Sequence, residues 1–163
     1  ANGYPKFVDN TFVKQDNHAS YRTIKSQYSS FPSTGDFIGN KFTNGASAES
    51  VDLEFWGPGK KEIKVGWHVD IQVKNASGAP LGGASVVVKT NTGAVIFNGS
   101  TNGNGSVRAD VAQYLRTNVS GGVVVRKESR VSRTPHTIVV TKDGRTVTKT
   151  VTVAGNQTVQ VVL

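Results

Sequence analysis

The chain has 163 residues, 36 % of them hydrophobic, with 18 glycines, no cysteine, no methionine and a formal net charge of +8. Its apolar content is chiefly Val, and no long segment repeats apolar residues at i, i+3, i+4 and i+7, which excludes long helices and points to strands. No apolar run approaches the roughly 20 residues of a membrane-spanning helix, and a chain of this length builds a core without disulfides, so the missing cysteines fix no compartment.

Taken in chain order, the opening Ala1-Asn2-Gly3-Tyr4-Pro5 suits a processed N-terminus or a piece of a longer protein. Residues 1–68 are rich in aromatics, Asn and Ser. Within them Val8-Asp9-Asn10-Thr11-Phe12 is echoed thirty residues on by Ile38-Gly39-Asn40-Lys41-Phe42. Each echo leads through a polar stretch into an alternating segment, at 20–24 and at 50–56, with 26–36 expected as a looped insertion. This pattern resembles the coils of a right-handed parallel β-helix, in which an Asn-x-Phe unit recurs once per coil. The alternative is two ordinary strands whose sequences echo by coincidence. If the resemblance holds, two coils cannot bury a core alone, because a solenoid needs about three repeats and capped ends. The implied partners are copies of the chain itself, adding strands edge to edge, or an upstream part of a longer chain.

Residues 69–163 alternate with period two between turn signals. Val69, Ile71 and Val73 share one face, and the polar stretch 75–83 ends that strand. Ala84, Val86 and Val88 form the next inward face, followed by the apolar run 94–97, a turn at 101–105, a strand at Val107 and a short strand at 123–125. Asp143-Gly144 between two β-branched runs predicts a type I′ hairpin that pairs Val140 with Val147, with Lys149 breaking the inward pattern. A last strand buries Val159, Val161 and Leu163. About seven short strands of this spacing predict an all-β sandwich.

The string Val69-Asp-Ile-Gln-Val-Lys-Asn-Ala-Ser-Gly-Ala-Pro-Leu-Gly-Gly-Ala-Ser-Val-Val-Val resembles the opening of carboxypeptidase regulatory-like (transthyretin-like) domains. The turn at 100–105 is similar to that family's Thr-Asp-x-x-Gly turn, with Asn102 in place of the usual Asp, and 137–163 to its final hairpin and strand. The resemblance implies an Ig-like antiparallel sandwich over 69–163, preceded by a β-rich region over 1–68. It implies no activity, because such sandwiches accompany many unrelated functions.

Candidate chemistry is sparse. His18, His68 and His136 are far apart and lack the paired spacing of zinc ligands, so His136 is expected to be packed and His68 to sit at the junction near Trp67. Asp52 and Glu54 share a strand face, which an outward polar face explains without acid–base chemistry. Asn102-Gly103-Asn104-Gly105 lacks the alternating carboxylates of a calcium loop and reads as a turn. Residues 126–163 carry 7 basic and 2 acidic side chains, and Arg126, Lys127, Arg130 and Arg133 form the densest basic run. That run is a candidate contact for acidic polysaccharide, an anionic cell surface or a neighbouring subunit. Nucleic acid lacks the accompanying stacking aromatics.

Five Asn-x-Ser/Thr sequons, at Asn75, Asn98, Asn104, Asn118 and Asn156, are candidate glycosylation sites. With no catalytic residue, metal or cofactor assigned, the expectation is a non-enzymatic extracellular or cell-surface protein, such as a filament, sheath or surface-layer subunit. The alternative is an accessory carbohydrate-binding or adhesion module, with Trp56, Trp67, Tyr4 and Tyr21 as sugar-stacking residues.

Overall fold

A computed structural model of the chain describes residues 5–14, 23–26, 33–53, 61–118 and 128–163. These form fourteen strands and one short 3-10 turn, Ala48–Ser50. The strands are β1 Lys6–Val8, β2 Thr11–Val13, β3 Ile24–Ser26, β4 Ser33–Ile38, β5 Lys41–Thr43, β6 Val51–Leu53, β7 Lys61–Lys74, β8 Ser85–Lys89, β9 Val95–Ser100, β10 Ser106–Asn118, β11 Glu128–Ser132, β12 His136–Lys142, β13 Arg145–Val151 and β14 Gln157–Val162. The all-β class expected from composition is the class observed. The expected strand at 123–125 lies outside the described residues, as does most of the expected insertion at 26–36, whose end is strand β4.

Two compact units divide the chain. The first comprises Ala1–Gly66 and Tyr114–Ser132, the second Trp67–Gln113 and Arg133–Leu163. A single break between 1–68 and 69–163 was the expectation, and the units differ from it in two respects, the first being that the boundary falls at 66/67. The second is that residues 114–132 group with the N-terminal part, because β10 enters the first unit at Tyr114 and pairs there with β11.

The second unit is a two-layer sandwich. One layer is the antiparallel sheet β13-β12-β8-β9, and the other comes from β7, β10 and β14. Between them lie Val69, Ile71 and Val73 of β7, Ala109 and Val111 of β10, and Val159 and Val161 of β14. Opposite these stand Ala84, Val86, Val88, Ile138 and Val140. Alternation alone explains this inward set, because successive side chains of a strand point to opposite faces. Asp143 and Gly144 both hold positive φ, 47° and 76°, so the hairpin has the two left-handed positions of a type I′ turn. Val140 pairs with Val147 as its register requires.

Two details depart from expectation. The strand β14 runs parallel to β7 rather than antiparallel, because the chain crosses from β13 to the other layer before pairing. The run 94–97 is also largely outward, with Val95 and Ile96 exposed at the bulged start of β9. Lys149 lies opposite Ile138 and is exposed, and its ammonium donates to the Gln160 carbonyl at 3.0 Å. That bond occupies a carbonyl on β14, a strand whose only ladder partner among the described residues is β7.

The turn at 102–106 is held by Asn102, whose Oδ1 accepts the N–H groups of Asn104 and Ser106 at 3.0 and 3.1 Å. Gly105 closes it with φ +69°, and its carbonyl accepts Val73 N–H at 2.7 Å. A Cβ at Gly105 would stand 2.5 Å from the Val73 oxygen and 2.9 Å from the Leu81 nitrogen, both backbone atoms that cannot swing away. Gly144 has a similar φ but open space around it. Gly105→Ala is therefore expected to destabilise the second unit by more than about 2 kcal/mol, against about 1 kcal/mol for Gly144→Ala, where only the left-handed backbone is strained. Urea denaturation of the two variants side by side checks this difference.

Candidate functional site

The first unit is built from strands stacked in parallel one repeat apart. Lys6, Phe7 and Val8 pair with Asp36, Phe37 and Ile38, and Thr11, Phe12 and Val13 pair with Lys41, Phe42 and Thr43. Ile24, Lys25 and Ser26 pair with Val51, Asp52 and Leu53. A third rung begins where β4 pairs in parallel with 61–66 of β7. The echoed segments thus lie directly on each other. Each bends at a left-handed residue, Asp9 at φ 56° in one coil and Gly39 at φ 66° in the next.

Two kinds of side chain hold the coils in register. The Phe7 and Phe37 rings stack at 4.8 Å between centroids, and Phe12 and Phe42 at 5.2 Å. Asn40 is buried at 4 % exposure. Its Oδ1 accepts Asn10 N–H at 2.9 Å, and its Nδ2 donates to the Phe7 carbonyl at 2.8 Å. Farther along, Asn44 donates to the Lys14 carbonyl, and the hydroxyls of Thr23 and Ser50 are hydrogen-bonded. A buried amide is costly when unpaired, so the two Asn40 bonds fix the register of these segments.

The two ends of this stack differ. At one end Tyr114 of β10 joins the core formed by Phe37, Ala48, Val51, Ile63 and Val65. Two residues on, Arg116 is also buried, and its Nη1 donates to the carbonyls of Ala48 and Val51 at 2.7 and 3.2 Å. Its Nε lies 3.6 Å from Glu49 Oε2. Arg130 of β11, paired with Arg116 in the ladder, reaches Glu49 Oε1 at 3.2 Å and places its guanidinium 3.8 Å above the Tyr114 ring. Burial, followed by a hydrogen bond to Glu49, pushes the Tyr114 hydroxyl well above its ordinary pKa. At the other end, β1, β2 and β3 each have a ladder partner on one edge only among the described residues, as β5 and β6 also do. Phe7 is half-buried where its stacking partner Phe37 is 3 % exposed, and Val13 is 62 % exposed.

Of the residues singled out from sequence, several are thereby accounted for. Arg130 is held by Glu49 and Tyr114. Arg133 is half-buried, its N–H donating to the Gln113 carbonyl at 2.9 Å. Arg126, Lys127, Trp56, Tyr4, Tyr21, His18 and Glu54 lie outside the described residues, and Asp52 is placed in β6. Trp67 is half-buried, packs against the sandwich core, and donates its Nε1–H to Gln113 Oε1 at 2.9 Å.

Among the sequons, Asn98 and Asn104 are exposed. The Asn75 Oδ1 accepts the Ala79 N–H and the Ser77 hydroxyl, and the Asn156 Oδ1 accepts the His68 N–H. Asn118 is the last residue of β10. Glu49, Tyr114 and Arg116 were not foreseen, and no local motif marks them.

His68 Nδ1 lies 2.7 Å from Asp110 Oδ1. Two residues along each strand Asp70 accepts both Nε and Nη2 of Arg108 at 2.8 and 2.9 Å, which lowers the Asp70 pKa. Among the described residues no group of three His, Cys, Asp or Glu side chains comes together to hold a metal. His136 is fully buried, as its place at the start of β12 implied, and neither ring nitrogen has a hydrogen-bond partner among the described residues. Burial lowers its pKa.

Two outcomes follow from this geometry. Arg116→Ala, which strips two buried carbonyls of their donor, should destabilise the first unit by about 3 kcal/mol, whereas half-exposed Arg130→Ala should cost under about 1 kcal/mol. Chemical denaturation distinguishes the two. For His136 the unfolded chain binds the proton that the folded chain refuses. Its contribution is constant above the ordinary histidine pKa of 6.5 and stability falls as pH drops below it, by at most about 1.4 kcal/mol per pH unit. The stability difference between the native protein and His136→Val, followed from pH 8 to 5, should show that slope.

The sequence matches no family model and no curated protein. Among solved structures, the major pilin subunit BcpA of Bacillus cereus is similar over 57 % of this chain, at 16 % identity and a TM-score of 0.29. The TIE protein of Bacillus anthracis is similar over 69 %, at 13 % identity and a TM-score of 0.30. The matched regions cover only 28 % and 19 % of those two chains. Likeness at this level carries no argument about this chain.

Proposed function

We propose that this chain is a non-enzymatic structural or assembly protein of the cell surface or extracellular space, joined to its neighbours by β-strand contacts. The first unit is read as the last coils of a right-handed parallel β-helix, and the second as a carboxypeptidase regulatory-like sandwich. One observation carries the assembly reading, namely the unequal ends of the coil stack. Tyr114 and Arg116 occupy one end, while at the other β1, β2 and β3 each have, among the described residues, a strand partner on one edge only. Such edges are templates for strand addition unless charge, proline or a covering segment blunts them. Strand β2, Thr11-Phe12-Val13, has neither charge nor proline.

The test uses backbone chemistry. Lys41 N–H donates to the Asn10 carbonyl, so by alternation Phe12 faces β5 and the main-chain groups of Val13 face the open edge. Val13→Pro removes an outward N–H and leaves the β5 ladder intact. The purified chain is expected to form concentration-dependent assemblies by light scattering and electron microscopy, and Val13→Pro to reduce them. Dispersed monomers at every concentration would overturn the reading.

A further inference from the structure

The open face of coil one has a specific chemical form, visible by comparing two asparagines one repeat apart. Asn40 is buried between coils and makes two bonds to the preceding coil, accepting from Asn10 N–H and donating to the Phe7 carbonyl. Asn10 occupies the same place at the turn of its own coil, yet it is exposed. Its Nδ2 folds back to Val8 O, two residues away, at 3.1 Å, and its Oδ1 has no hydrogen-bond partner among the described residues. The aromatic column ends in the same way, with Phe7 and Phe12 stacked on Phe37 and Phe42 below.

We infer that this face is an acceptor for one further parallel β-coil. Its Asn10 side chain clamps the incoming backbone as Asn40 clamps residues 7–10, and Phe7 and Phe12 receive an aromatic ring each. This rests on the assembly reading and deepens it by naming the partner. The partner is a polypeptide coil of the same repeat, with a left-handed turn residue and aromatic side chains at the positions that Asp9, Phe7 and Phe12 hold in coil one. Continuity with the contact between the first two coils supports this occupant. A parallel coil placed there meets the same stack of rings, the same amide pair and a strand edge of the same register as coil one meets on coil two. At the far end Arg116 holds the Ala48 and Val51 carbonyls and Tyr114 joins the core, while β5 and β6, like β2 and β3, have a single ladder partner each among the described residues.

The probe is a fluorescein-labelled peptide with the sequence of residues 5–14, titrated into the full chain and followed by fluorescence anisotropy. Saturable binding is expected, lost with a scrambled peptide. In the protein, Asn10→Ala should weaken binding by about tenfold, the worth of the two side-chain bonds, and Val13→Pro should weaken it further. Asn10 is exposed, so Asn10→Ala should leave the urea midpoint unchanged, and that measurement separates lost docking from lost folding. Absence of peptide binding, or binding indifferent to Asn10→Ala, overturns the inference. If the chain still assembles in that case and Asn10→Ala has no effect on the assemblies, the occupant is a second copy packed in another way. The assembly reading then stands without this one. If neither assembly nor peptide binding occurs, both fall.

Discussion

A β-strand in a sheet interior must find a partner on each edge, and in this chain β7 is the strand on which both units are built. Along one edge it takes β4 at 61–66 and then β14 at 69–74, and β10 is its neighbour on the other. Everything in the first unit that stacks on β4, and everything in the second that packs on Val69, Ile71 and Val73, follows from that strand being satisfied on both sides. Among the described residues, β1, β2, β3, β5 and β6 meet the same requirement on one side only.

That imbalance is the physical content of the functional reading. On the proposed coil reading the core is buried by repetition, so the ends of the stack expose rings and amides unless something closes them. Here one end is closed by an unusual device. A buried arginine supplies donors to carbonyls of the 3-10 turn and β6, while the neighbouring tyrosine takes the place of a core residue. Glu49 and Arg130 complete the charge arrangement, so the guanidinium is buried with its partners. No such closure is found at coil one among the described residues. The second unit treats its edges differently, with Lys149 occupying a β14 carbonyl and a bulge at β9.

Much of this was legible in the sequence, for reasons that can be named. The Asp143-Gly144 hairpin was readable to the residue because a type I′ turn and two alternating runs are local signals. The thirty-residue echo was readable because stacked coils place the same residue types at the same corner, as Asn10 and Asn40 show. Strand β10 was not, beyond Val107. Its buried residues are Ala109 and Val111 in the second unit but Tyr114, Arg116 and Thr117 in the first. The alternation therefore changes phase midway, and a period-two reading loses it. Glu49, Tyr114 and Arg116 were missed because they come together across 65 or more residues, with no spacing to betray them.

By itself, then, the sequence determined the all-β class, the inward faces of the sandwich and the thirty-residue echo whose two copies pair in parallel, since each depends on short-range periodicity and turn chemistry. Only the tertiary structure decided which chain segments belong to which unit, that β14 runs parallel to β7, and which end of the coil stack is plugged and which is open. Those are questions of long-range pairing, in which a strand's partner is chosen by what is left unsatisfied elsewhere in the chain.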